Sequence, residues 1–96
     1  MMLVVSYDVN TTDAAGEKRL RKVAKLCEAY GCRVQNSVFE VLVDPAQLVT
    51  LKAGLSEVID KEKDSVRFYR LGSNWRSRIE TLGRKLTYEQ DGVIMF

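Results

Sequence analysis

The first apolar run, Leu3-Val4-Val5-Ser6-Tyr7-Asp8-Val9, alternates with a period of two: Leu3, Val5, Tyr7 and Val9 share one face, Val4 and Ser6 the other. This predicts a strand. Asp disfavours strand interiors, and Asp8 appears just as the β-branched run gives way to Asn10-Thr11-Thr12-Asp13, so it falls at the strand's C-terminal mouth. An acid in that place reads either as a turn or cap residue or as a site carboxylate. The pattern then becomes helical. Asp13 is the candidate N-cap, Leu20, Val23, Ala24, Cys27 and Tyr30 form one apolar stripe, and Gly31 is the expected stop. Lys18, Arg21, Lys22 and Lys25 fall largely outside the stripe, which gives the helix a basic outer side.

Residues 32–43 read as extended chain. Val38, Phe39, Val41, Leu42 and Val43 are strong strand formers, and Gln35-Asn36-Ser37 is not. The segment is either a tight hairpin broken at those three residues or one long strand with a bulge. Asp44-Pro45 pairs an N-cap with proline at the first helical position, and Leu48, Leu51, Leu55, Val58 and Ile59 supply the buried stripe of a second helix. Gly54 inside it weakens the helix by about 1 kcal/mol relative to alanine, which suggests close packing against a neighbour. The charged stretch Asp60 to Asp64 ends this helix, and Ser65 to Leu71 alternates as a strand. Strand, helix, strand pair, helix, strand, with one apolar face on each helix, is a split βαβ arrangement: an α+β, ferredoxin-like βαββαβ domain spanning residues 1–96. Its core covers about residues 1–72, and the first strand and the one near 38–43 are its central pair.

Beyond the core, Gly72 to Gln90 is a polar, basic connection carrying Trp75, Arg76 and Arg78. Trp75 can stack on a base or cover a loop or subunit seam. The chain ends in apolar Val93-Ile94-Met95-Phe96, which needs burial. Addition to the sheet edge of a second copy would provide it. A domain of 96 residues buries a workable but marginal core, which also favours a dimer.

Composition narrows the chemistry. The absence of histidine removes Ser-His-Asp and Cys-His catalysis, histidine zinc sites and paired-histidine ribonuclease chemistry. Hydrolysis would then need another activator, of which a hard metal on carboxylate oxygen is the obvious one remaining, and magnesium or manganese suits this composition better than zinc. Cys27 and Cys32 read as reduced thiols, and the N-terminus lacks the features of a signal peptide, so a cytoplasmic location with no membrane span is expected. The net charge of +2 hides two basic blocks. One is Lys18, Arg19, Arg21, Lys22, Lys25 and Arg33, the other Arg67, Arg70, Arg76, Arg78, Arg84 and Lys85, with an acidic block over residues 44–64 between them. They are either solvated faces or the footprint of a polyanion.

Four segments together resemble the CRISPR-associated protein 2 family, the small partner of the integrase in spacer acquisition. They are Val5-Ser6-Tyr7-Asp8-Val9, Gly31 through Glu40, Asp64-Ser65-Val66-Arg67-Phe68-Tyr69-Arg70-Leu71-Gly72, and the apolar C-terminus. The second segment is the most specific. The resemblance implies a ferredoxin-like homodimer with exchanged C-terminal strands and a magnesium-dependent endonuclease cleaving single-stranded RNA or double-stranded DNA, with manganese as a possible substitute. It places the metal between the Asp8 carboxylates of both protomers. It also implies site positions for Tyr7, either catalytic with Asp8 or as core or dimer packing, for Arg19, Arg21 and Arg33 as nucleic-acid contacts, and for Phe39 and Ser37 as supports, with Phe39 alternatively core or dimer packing and Ser37 alternatively stabilising a turn. Arg76 and Arg78 are candidates for the nucleic-acid track. The alternative function it brings is a non-catalytic adaptor that bridges dimers of the integrase, CRISPR-associated protein 1, and holds duplex DNA.

Overall fold

The chain begins with strand β1 (Met2–Asp8), in which Leu3, Val5 and Tyr7 are buried and Asp8 is exposed. The computed structural model describes residues 1–83, so the expected C-terminal strand and its exchange lie outside the described residues. Helix α1 (Ala14–Glu28) follows, capped as expected by Asp13, whose carboxylate accepts the Gly16 N–H at 2.8 Å. It ends earlier than the periodicity suggested. Ala29 is its C-cap, and Gly31 opens strand β2 (Gly31–Gln35) instead of stopping the helix. The reason is across the sheet: a Cβ on Gly31 would lie 1.9 Å from the Glu40 carbonyl oxygen, so only glycine allows this approach.

The open choice over residues 32–43 resolves as a hairpin, with β2 paired antiparallel to β3 (Val38–Leu42) and an irregularity between Arg33 and Gln35. Helix α2 (Pro45–Val58) starts with a full capping box, in which the Gln47 N–H donates to Asp44 at 2.7 Å and the Asp44 N–H to Gln47 at 2.9 Å. Strand β4 (Ser65–Gly72) follows, and a short helix α3 (Trp75–Arg78) occupies part of the expected irregular connection. The sheet order is β2-β3-β1-β4, with all neighbours antiparallel. β1 and β3 are therefore central, as the ferredoxin-like reading requires.

The core lies between one face of this sheet and the two long helices. Val5 sits between Phe39 on β3 and Phe68 on β4, and Val23, Ala24 and Cys27 of α1 join Leu48, Leu51 and Leu55 of α2 against them. Burial pushes the Cys27 thiol up to about 11, and it also raises Cys32. Both remain free thiols. Among the described residues no helix is long and apolar enough to cross a membrane.

Candidate metal and nucleic-acid site

Because residues along a strand alternate, the burial of Leu3, Val5 and Tyr7 turns Val4, Ser6 and Asp8 to the face that α1 and α2 leave uncovered. Asp8 is the last residue of β1, with Ser65 opposite it on β4. On the other side the ladder to β3 stops at Ser6–Val38, and the β2–β3 turn is latched instead: the Tyr7 N–H donates to the Ser37 carbonyl at 3.0 Å. A rigid central strand thus carries an exposed carboxylate to its mouth. A recess of about 610 Å³ lies around Met1 and Val43, at the opposite end of β1 from Asp8.

The residues expected around Asp8 separate into three groups. Tyr7 adjoins it in sequence but faces the core, 3% exposed, with its ring 6.1 Å from that of Phe39 and the Arg33 guanidinium 5.3 Å above Phe39. Burial raises the Tyr7 pKa, an effect that Arg33 opposes, and the phenol donates to the Asn36 carbonyl at 3.3 Å. Tyr7 is thus a neutral, buried residue on the face away from Asp8, in the packing position that was one of its two expected roles. Phe39 is fully buried in the core with Arg33 over its ring, and Ser37 contributes its carbonyl to the latch. Arg33 approaches Glu28 only at 3.8 Å in a half-exposed pair worth little to stability.

Arg19 is engaged within the fold. Its Nε donates to Asp64 at 2.8 Å, and the pair is largely withdrawn from water, with side chains 17% and 0% exposed. Arg21 is exposed beside Lys18, Lys22 and Lys25, so a basic outer side of α1 does form, on the helix layer and away from Asp8's face. Arg76 and Arg78 are exposed on α3, with the Arg76 guanidinium 5.2 Å from the half-buried Trp75 ring. Sequence reasoning did not single out Arg67 as a site residue. The register sets it opposite Ser6 and so on Asp8's face, where its guanidinium donates to the Tyr69 hydroxyl at 3.3 Å. The signal was present in the alternation of Ser65, Arg67 and Tyr69.

As a cation site, one protomer is incomplete. Asp8 offers the hard oxygen that magnesium or manganese prefers, yet among the described residues no three carboxylate, thiol or imidazole groups gather at one point. Asp8 fits as one oxygen ligand of such an ion, and the remaining ligands have to come from outside the described residues of one protomer.

A four-stranded antiparallel sheet with helices on one face and an acid at a central strand mouth on the other defines a small ferredoxin-like protein with its candidate chemistry on the open face. The chain belongs to the CRISPR associated protein Cas2 family, whose family model matches residues 1–79. A CRISPR-associated endonuclease Cas2 of Halalkalibacterium halodurans is 50% identical over 96 residues, covering 100% of both chains. A CRISPR-associated endoribonuclease Cas2 of Nitratidesulfovibrio vulgaris is 50% identical over 95 residues, 99% of this chain and 93% of that one. The crystal structure of Streptococcus pyogenes Cas2 at pH 6.5 superposes with a TM-score of 0.79 at 61% identity, covering 86% of this chain and 100% of that one.

Proposed function

We propose that this chain is a homodimeric, magnesium-dependent endonuclease of CRISPR spacer acquisition, hydrolysing phosphodiesters in single-stranded RNA or double-stranded DNA. The observation that carries this reading is Asp8, an exposed carboxylate held at the mouth of a central strand on the uncovered face of the sheet. The endonuclease and endoribonuclease names of relatives about half identical over the whole chain support the reaction class. Asp8 from each protomer would hold the ion, with manganese as a substitute. The chemistry such an ion supplies when bound is polarisation of a phosphoryl oxygen and activation of water for attack. Arg67 presents a guanidinium on the same face, suited to a phosphate flanking the cleavage point. Arg76 and Arg78 neutralise phosphates further along the strand.

A second reading is favoured by a separate observation. The exposed cations of α1 lie on the helix layer, away from the Asp8 face, so polyanion binding there does not require the nuclease site. This suits an adaptor that holds duplex DNA and bridges dimers of the integrase CRISPR-associated protein 1. The deciding experiment compares wild type and Asp8→Ala, purified in parallel, on both nucleic acids with magnesium, manganese or chelator. Under the nuclease reading Asp8→Ala loses cleavage by more than about a hundredfold, beyond the usual cost of losing only an outer-shell partner of a metal. Its duplex binding and dimerisation persist. Equal cleavage by both proteins would reject the assignment to Asp8. Tight, salt-sensitive duplex binding with no cleavage by either would establish the adaptor reading.

A further inference from the structure

The region that fixes Asp8 contains a side-chain cluster that the proposed chemistry does not use. Asp64 immediately precedes β4, and its side chain is withdrawn from water. Its Oδ1 accepts the Asn10 N–H at 3.0 Å, while Oδ2 accepts Arg19 Nε at 2.8 Å and the Asp60 N–H at 2.9 Å. The second arm of Arg19, Nη2, lies 3.4 Å from both Asp64 Oδ1 and the Asn10 carbonyl. One carboxylate therefore joins the exit of β1, the first turns of α1, the exit of α2 and the start of β4. Burial alone would raise the Asp64 carboxyl, but the Arg19 hydrogen bond and the Asp60 and Asn10 N–H groups outweigh it and hold its pKa below the ordinary value.

Asp8 is held by this cluster from two directions. Asn10 follows it by two residues, and Ser65, the neighbour of Asp64, is its partner across the sheet. The first turn of α1 closes on the same peptide, since a Cβ on Gly16 would fall 1.9 Å from the Asn10 carbonyl oxygen. Arg19 spends both arms inside the cluster, whereas Arg21, two residues on, stands in solvent. A buried ion pair is weak evidence of stability, because well-packed apolar residues often serve the fold as well. What this one adds is a fixed position for a loop.

We propose that Arg19 and Asp64 are positioning residues that clamp the exit of β1 and so set the height at which Asp8 presents its carboxylate to a shared cation. The proposal rests on the nuclease reading and replaces direct nucleic-acid contact as the role of Arg19. A carboxylate shared between two copies tolerates little displacement, and misplacement of a reacting group by about 1 Å can cost on the order of a hundredfold in rate.

The test uses the full-length protein with Asp64→Asn, Arg19→Gln and their double variant, plus Arg19→Lys, which keeps the charge and loses the two-armed fork. Amide hydrogen exchange over residues 9–13 is measured without metal, manganese affinity by titration, and kcat and KM separately at a temperature well below each melting midpoint. The clamp predicts faster exchange at Asn10, weaker manganese binding, and a kcat lowered by about ten- to a hundredfold with KM nearly unchanged. The two single variants should match each other and the double should be no worse, with Arg19→Lys intermediate. A raised KM and shallower salt dependence in Arg19→Gln, with Asp64→Asn unaffected, would make Arg19 a phosphate contact and overturn the clamp. Lower melting midpoints with kcat and manganese affinity intact would reduce the pair to a fold-stabilising role and also overturn it. Asp8→Ala runs alongside: if it cleaves like wild type, the nuclease reading itself fails, a result distinct from either of these.

Discussion

On the covered face of the sheet Leu3, Val5 and Phe39 are fully buried against α1 and α2, while on the other face Asp8, Arg67 and Tyr69 stand in contact with solvent. Successive residues of one strand serve both. The first face is held by burial of apolar area, which is non-directional and tolerant of exchange. The second holds its groups by backbone register and by polar ties at the strand ends, where direction matters. A substitution on one face should therefore move stability and leave chemistry intact, and one on the other should do the reverse.

The strongest way to test that separation is Phe39→Ala. Removing a fully buried ring costs about 3–5 kcal/mol, and each kcal/mol lowers the melting temperature of a domain this size by roughly 4–8 °C. Calorimetry should show that loss, while cleavage measured well below the new midpoint stays near wild type. Loss of cleavage in folded protein would mean that the two faces are coupled through Phe39. Next in size is Arg67→Ala. A charged hydrogen bond to phosphate is worth about 1.5–3 kcal/mol, so KM for nucleic acid should rise by an order of magnitude or more with melting unchanged. An unaltered KM would remove Arg67 from the site.

A smaller effect concerns acid. The folded pKa of Asp64 lies below its ordinary value of 3.8, so its stabilisation is present above that value and is lost as pH falls through the folded pKa. Wild-type melting temperature should therefore decline below about pH 4 more steeply than that of Asp64→Asn, which has no such proton to take up. Parallel acid profiles would contradict this linkage. The smallest is Gly54→Ala. A Cβ there would meet the Leu26 methyl groups at 3.5 Å, an ordinary contact, so the variant should gain about 0.5–1 kcal/mol from helix propensity without affecting cleavage. A loss of stability would show the α1–α2 contact to be tighter than that distance implies.

What the sequence revealed follows the same division. The period of two in β1, the Asp44-Pro45 start and the stripes of both helices are local patterns, and the covered face follows from them. Gly31 reads locally as a helix stop and yet opens β2, because its constraint is the Glu40 carbonyl on another strand, invisible to helical periodicity. Arg19 resembled a phosphate contact because its partner, Asp64, lies 45 residues along the chain and only the fold joins them. Tyr7 and Asp8 are joined by family likeness, and the alternation of β1 sets the two on opposite faces, which is legible in the sequence. Asp8 itself was readable as a strand-end acid, because both the break in the apolar run and the turn residues after it are local signals.

The central claim is that two copies of Asp8 share one cation. Manganese binding to the purified protein, followed by calorimetric titration and by paramagnetic resonance of free manganese, tests it most directly. The account predicts one ion for every two chains, and its loss in Asp8→Ala with the dimer intact. One ion per chain, or undiminished binding in Asp8→Ala, would contradict it.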